Sequence, residues 1–528
     1  MGEPRLPAPP HHGHGAAEVA GIGRPRSLPQ DRPRPRRPAP QGAGGLTSAP
    51  APPAARALAR NTIFSAIGEG TNALLFLLAF LAARLLGPEP FGEYRTAYAF
   101  VGLFRILPDF GMSYASTLAI SRDRSQAQRL VGGLLGFQAA LSLATIVLCL
   151  AVGASRYTGV TWFAVVVLTF DLVLKSVKST LRWTLKGLER FGLEAVSLLF
   201  ERTLLLALCL GVLYAGHGVR GFVLAFLAVR LVDTTALVTY VQRRVLPLTP
   251  HFDGPLWSDL FRKGLPFAYA GAMITLVFQV DTVILEKMRG AIEVGWYGSP
   301  VLVLEGLTLV PRILGYALIP TMAAWAATRP EVVAELYRRG SKYLLLVGLP
   351  IGAFGLLESD RFVAMLFGSD YARSAEAARL LLPAATFMFL SNFGETALAC
   401  VNRWGTIVVV STVALAVNVA LNFALIPRLG FVGAAWATLV TEALYFLAGA
   451  VALRVYGYRA GWAGIVWRPA LATAAFGLAL WLARPWPLIL ASLVACAVYA
   501  VATVVLGVWD EREKELVMGS LRLRGRRG

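Results

Sequence analysis

From about residue 61 to residue 508 the chain is a near-continuous succession of apolar runs about twenty residues long, each enough to cross a bilayer as a helix. Apolar residues make up 56% of the 528 and the mean hydropathy is +0.61. The expected fold is therefore an all-α polytopic membrane protein. The runs fall at 61–86, 91–118, 127–152, 160–183, 193–215, 219–241, 264–286, 295–325, 341–357, 376–400, 404–426, 431–455, 466–483 and 487–508. They predict about 14 transmembrane helices.

The runs come in two sets. Phe64, Gly68, Gly87, Gly92, Tyr94 and Pro108 return as Phe267, Gly271, Gly290, Gly295, Tyr297 and Pro311. Arg190-Phe191-Gly192 is answered by Arg403-Trp404-Gly405, and Gly218-x-x-Gly221 by Gly430-x-x-Gly433. This order predicts two six-helix lobes, 57–245 and 246–458, followed by two further helices within 459–508. Six is even, so both lobes enter the membrane from the same side and the repeat is parallel, a ground plan of carriers that rock around a central site. Prolines at matching positions, Pro108 and Pro311, are expected to bend the second helix of each lobe, with further kinks at Pro266 and Pro383.

Basic residues set the orientation. Arg122, Arg124 and Arg129, then Arg182, Lys186 and Arg190, and Arg243, Arg244, Arg262 and Lys263 fall in alternate loops, a pattern continued by Arg338, Arg339, Lys342, Arg454 and Arg459. Both termini are therefore expected in the cytoplasm. The net charge of +19 is this topology signal plus two basic tails, 1–56 and 509–528. It points to anionic lipid headgroups and not to nucleic acid. Residues 1–56, rich in Pro, Gly and Arg, are expected to be disordered. They hold no signal-peptide core, and the start is open between Met1 and a downstream site. His11, His12 and His14 read as part of a solvated tail. Cys149, Cys209, Cys400 and Cys496 read as packing residues, and no metal or cofactor site is expected.

Charges inside the runs locate a site. Asp171, Lys175, Lys178, Arg182 and Lys186 are spaced 4, 3, 4 and 4 in the fourth run. At 100° per residue they stay within an arc of about 80° and form a stripe about 16 Å long. A charge at bilayer depth costs about 2.5–3.5 kcal/mol even on the lenient scale, so this face must look into protein or water. Arg182 and Lys186 equally suit a helix running on into the cytoplasm, and Lys178 can snorkel. Other charges sit near a partner on their own helix: Arg105 with Asp109, Arg230 with Asp233, and Arg312 with Glu305. Glu194 and Glu201 are placed to answer the lysines. Glu69, Asp281, Glu395 and Glu442, with Asn418 and Asn422, are candidates for Na⁺ or H⁺ coupling or for interhelical hydrogen bonds.

No Gly-x4-Gly-Lys-Ser/Thr loop is present, so ATP is not expected to drive the chain directly. No extramembrane segment is large enough for a catalytic domain, and a membrane glycan polymerase or glycosyltransferase is the weaker class.

The turn Arg84-Leu85-Leu86-Gly87-Pro88-Glu89-Pro90-Phe91-Gly92-Glu93-Tyr94 resembles the polysaccharide flippases of the MATE-like (MOP exporter) superfamily. The likeness continues at Asp109-Phe110-Gly111-Met112, Gly187-Leu188-Glu189-Arg190-Phe191-Gly192, Asn402-Arg403-Trp404-Gly405 and Pro427-Arg428-Leu429-Gly430-Phe431-Val432-Gly433. It covers about 60–508. The resemblance implies a V-shaped pair of lobes carrying an oligosaccharide on undecaprenyl pyrophosphate across a bacterial cytoplasmic membrane, for O-antigen, capsule or exopolysaccharide, without covalent chemistry. Polysaccharide polymerases or glycosyltransferases are the implied partners. Lys175, Lys178 and Arg182 would grip the pyrophosphate, helped by Arg105 and Arg312, because a pyrophosphate suits a cationic cavity. Drug-exporting relatives favour cationic cargo, which the stripe opposes. Fourteen helices also look like the lipid II flippases, the alternative reading.

Overall fold

The computed structural model describes residues 70–511 and 513. Glu69, Phe64, Gly68, the N-terminal histidines and both tails lie outside the described residues, apart from the start of the second tail. Sixteen α-helices follow one another, with no strand among the described residues. They are α1 (Asn72–Leu86), α2 (Pro88–Leu103), α3 (Met112–Arg122), α4 (Ala127–Ala154), α5 (Gly159–Gly187), α6 (Phe191–Tyr214), α7 (Gly218–Arg244) and α8 (Gly254–Arg289). The second half holds α9 (Ala291–Leu307), α10 (Leu309–Trp325), α11 (Pro330–Phe367), α12 (Ser374–Cys400), α13 (Trp404–Leu429), α14 (Phe431–Val455), α15 (Trp462–Leu482) and α16 (Leu488–Val505).

Among the described residues, ten spans pass a test of length and hydropathy, with α9 and α10 counted as one, and α8, bent by 42°, makes eleven. The expected fourteen is not reached on that test because α1, α2 with α3, and α12 fall short. The described part of α1 is only 15 residues long. Helix α2 carries Glu89, Glu93 and Arg95. Helix α12 is buried along most of its length and carries Ser391, Asn392 and Glu395. A helix enclosed by other helices need not be apolar all round.

The repeat is visible turn by turn. Gly87 (φ 80°, ψ 171°) and Gly290 (φ 85°, ψ 177°) share one unusual conformation at the starts of α2 and α9. Glu189 (φ 59°) and Asn402 (φ 63°) both enter the left-handed region, uncommon outside glycine. The amide that follows each bonds back in the same way, Arg190 N to Leu185 O at 2.8 Å and Arg403 N to Leu398 O at 2.9 Å. The second helix of each repeat breaks, at Phe104–Gly111 around Pro108 and at Thr308 ahead of Pro311. Asp109 caps the restart, accepting from Ser113 N at 3.2 Å, and so does not pair with Arg105. Pro266 and Pro383 lie inside α8 and α12.

The two repeats touch most closely where α2 crosses α9. A Cβ built on Gly92 would stand 1.8 Å from Ala291 O, and one on Gly295 1.9 Å from Pro88 O. Only glycine admits backbones at such range. At the end bearing the basic loops, Phe110 meets Phe261 and Tyr114 meets Phe267 with ring centroids 5.3 and 4.3 Å apart. At the far end Phe80 packs on Phe367 at 5.8 Å, and Tyr371 Oη donates to Ala83 O at 2.8 Å.

Helices α15 and α16 form a hairpin held to α11 at both ends. At the far end Arg361 donates to the carbonyls of Arg484 (3.0 Å) and Trp486. At the basic end Lys342 Nζ donates to Val508 O (3.2 Å) and to both oxygens of Glu513 (2.9 and 2.7 Å). Burial raises the Glu513 carboxyl, but hydrogen bonds from Lys342 and Tyr343 outweigh it and hold the group below its ordinary 4.5. Stability from this clamp is thus present above the ordinary carboxylate range and lost as pH falls through the lowered folded value. Limited proteolysis should cut near residue 510 faster in acid than at neutral pH, and Lys342→Ala should show the fast rate at both.

Candidate functional site

Helix α5 turns its basic face toward α6 and α7, and most of that face is neutralised there. Glu201, 1% exposed, receives Lys178 Nζ at 2.7 Å, Arg182 Nη2 at 2.8 Å, Arg202 Nη1 at 3.3 Å and Arg230 Nη1. Asp233 receives Lys178 at 3.0 Å and Arg182 at 3.6 Å. Asp171 accepts from Arg230 Nε at 2.8 Å, and Lys186 meets Glu194 at 3.0 Å. Arg230 therefore does not pair with Asp233 on its own helix. Neighbours on one helix compete with better-aligned carboxylates across the packing interface, and in a dry interior geometry decides.

Three cations that line the space between the repeats have no carboxylate within 4.0 Å among the described residues: Lys175, Arg105 and Arg312. All three line one cavity of about 440 Å³ between the repeats, with Asp171, Glu305 and Glu395. Tyr98, Gln279 and Asn392 add neutral hydrogen-bonding groups to its wall. A second cavity of about 420 Å³ runs on from Lys175 and Arg105 past Lys178, Arg182 and Lys186. A third, of about 310 Å³, is walled by Phe76, Phe91, Phe222 and Phe226 and ends on Lys175, Arg202 and Arg312. Lys175 is the residue of the stripe common to all three.

Glu305 does not pair with Arg312, because the break at Thr308 separates their helices. It meets Arg95 Nη2 at 3.0 Å across the α2–α9 crossing. Arg95, 4% exposed, and Arg202 were not among the sequence candidates. Arg95 follows Gly92 by three residues and so shares its face, a signal the turn-like local sequence hides.

The candidates of the second repeat gather on polar groups. Asp281, 5% exposed, accepts from Thr282 N at 2.6 Å and from Tyr297 Oη. Asn422 Nδ2 donates to Asn418 Oδ1 at 2.9 Å, and Asn418 Nδ2 reaches Thr441 Oγ1 at 3.4 Å. Glu395 accepts from Tyr445 Oη, and Glu442 from Ser391 Oγ, each at 3.0 Å.

A family model described as polysaccharide biosynthesis protein matches residues 58–325, half of the chain. The chain belongs to this family. Similar curated proteins are a Shigella flexneri protein described as an O-antigen transporter, 23% identical over 71% of this chain and 93% of its own, and the capsular polysaccharide biosynthesis protein CapF of Staphylococcus aureus, 17% identical over 70% and 91%. Among solved structures, the lipid II flippase MurJ in an inward closed conformation superposes with a TM-score of 0.68 at 10% identity, covering 84% of this chain and 98% of MurJ. An inward-facing MATE multidrug transporter gives 0.60 at 14% identity, covering 72% and 94%. Those likenesses show the fold. This member of the polysaccharide biosynthesis family is an all-helical, multi-pass membrane protein.

Proposed function

We propose that the protein carries an undecaprenyl-pyrophosphate-linked oligosaccharide across a bacterial cytoplasmic membrane, by alternating access, for polysaccharide synthesis. The observation that carries this reading is the cavity between the repeats with three cations, Lys175, Arg105 and Arg312, left without carboxylate partners among the described residues. A diphosphate offers paired anionic oxygens to such groups, and charge-assisted hydrogen bonds of this kind are about twice as strong as neutral ones. The phenylalanine-walled cavity that ends on the same cations suits the start of a polyprenyl chain. The relatives' descriptions, O-antigen transport and capsular polysaccharide biosynthesis, favour a glycan as the remainder.

On this reading the chain divides near residue 245 into two lobes that rock about the α2–α9 crossing, with both termini in the cytoplasm. Lys178 and Arg182 hold the first lobe together through Glu201 and Asp233, and can shift toward the anion as it passes the second cavity. Lys175 is the primary contact.

Reconstitution in liposomes with a fluorescent undecaprenyl-pyrophosphate oligosaccharide tests this, with arrival at the opposite leaflet as the readout. Lys175→Ala should insert and melt like the parent protein, yet bind the lipid tenfold or more weakly, since a hydrogen bond to a charged group contributes about 1.5–3 kcal/mol. Unaltered transport by the Lys175→Ala/Arg105→Ala/Arg312→Ala variant would exclude this headgroup site. The second reading, a lipid II flippase, is favoured by the hairpin α15–α16 and the apolar groove of about 680 Å³ lined by Leu349, Phe387, Phe446, Leu447, Val451 and Trp462. Lipid II transported in preference to the oligosaccharide lipid would establish it, whereas an altered glycan after incubation would establish an enzyme.

A further inference from the structure

The two repeats place opposite chemistry at matching positions. The separation of Arg190 from Arg403 carries Lys178 and Arg182 onto Ser391 and Glu395, and that of Gly218 from Gly430 carries Arg230 and Asp233 onto Glu442 and Tyr445. In the first repeat α5 and α7 are joined at these positions by ions, Lys178 to Asp233 at 3.0 Å and Arg182 to Asp233 at 3.6 Å. In the second repeat α12 and α14 are joined by two rungs of another kind. Glu395 on α12 accepts from Tyr445 on α14, and Glu442 on α14 accepts from Ser391 on α12. Each helix contributes one carboxylate and one hydroxyl.

The surroundings supply no counter-charge within ion-pair distance among the described residues. From α13, Asn418 reaches Thr441, the residue before Glu442, and Asn422 bonds to Asn418. Asp281 and Tyr297 face the pair from α8 and α9, Tyr297 lying 3.0 Å from Thr438, one turn before Glu442. Helix α11 presents Tyr337, stacked on Phe393. Arg312 of α10 and Glu305 of α9 line the same cavity as Glu395. Among the described residues, Glu395, Glu442 and Asp281 have no Lys, Arg or His nitrogen within 4.0 Å. Every carboxylate of the first repeat's network has one.

Glu442 lies midway along a 25-residue span, Phe431–Val455. An ionised carboxylate held at that depth by one hydroxyl is costly, and adding a proton removes the charge. Successive-turn placement on facing helices sets the two carboxylates close enough for one negative charge to oppose the other. We propose that Glu395 and Glu442 form a proton-binding pair in the second repeat, Glu395 exchanging protons with the cavity and Glu442 storing one behind it. The ion network of the first repeat and the proton site of the second then occupy equivalent positions in the two lobes. Use of the proton to drive lipid transport rests on the function proposed above, but its binding does not.

The test is infrared spectroscopy of the purified full chain in lipid nanodiscs, without substrate, over an acid-to-alkaline titration. The parent should show a protonated-carboxyl carbonyl band at neutral pH that fades in alkali. Glu442→Gln should remove part of that band, Glu395→Gln/Glu442→Gln should remove more, and Glu442→Asp should move it without removing it. A band unchanged in both Gln variants would overturn the proposal, as would a spectrum that responds to Na⁺ and not to pH. The same band changes in a protein that moves no glycolipid would support the proton site and sink the flippase reading.

Discussion

Gly92→Ala should loosen the joint between the repeats and abolish transport, although no substrate contact is touched. The added methyl would stand 1.8 Å from Ala291 O and 2.9 Å from Gly295 N. Both are backbone atoms, so no side chain can swing aside and α2 must move away from α9. Overpacking a tight contact costs about 1–3 kcal/mol and sometimes more. Separating these helices also pulls on Arg95 and Glu305, which bridge the same crossing at 3.0 Å. Gly295→Ala should give the same phenotype, because its methyl would meet Pro88 O at 1.9 Å. The double variant should lose less than the sum of the singles, since one displacement relieves both clashes. Thermal unfolding in detergent and liposome transport, measured on the three variants, check this. A Gly92→Ala protein with parental melting and parental transport would show that the crossing is not the fulcrum.

Glu201→Gln is expected to be the most damaging single change in the first repeat. Its carboxylate serves Lys178, Arg182, Arg202 and Arg230, and the amide would leave buried cations short of a counter-charge. Removing one partner from a buried ion pair costs about 3–5 kcal/mol. Lys178→Met should cost less, because Glu201 keeps three other cations. In the double variant one charge of each sign is gone, so part of the loss should return, a coupling visible in a double-mutant cycle. Lys175→Ala, by contrast, should leave melting unchanged. If Lys175→Ala unfolds the protein while Glu201→Gln does not, the roles of the structural and the binding charges are inverted.

The repeat was legible in the sequence because its turns use residues for backbone reasons: Gly87 and Gly290 sit at positive φ, and Gly92 and Gly295 admit a close crossing. The basic face of α5 was legible too, since its spacing alone places the charges on one side. Which of those charges would be left unpaired was not. Helical spacing tells which residues share a face, not which neighbouring helix the face meets. Thus Arg105 and Asp109 read as a pair, whereas Asp109 turns to cap α3 and Arg105 lines the cavity. Arg312 and Glu305 looked like one face until a break at Thr308 parted them. The sequence pattern counted 376–400 as one more apolar run, whereas enclosure by its neighbours lets α12 carry Ser391, Asn392 and Glu395 at membrane depth.

The two ties of the C-terminal hairpin to α11, through Arg361 at one end and Lys342 at the other, make the pair a built-in pointer. Fastened at both ends to a single helix of the second repeat, it must travel wherever that helix goes. Its surface is open to labels, with Ile489 64% exposed close to the far turn, and Tyr214, 71% exposed, stands at the same end of the first repeat. Spin labels at these two sites would therefore form a ruler across the bilayer plane, reading the angle between the repeats without placing any probe in the cavity.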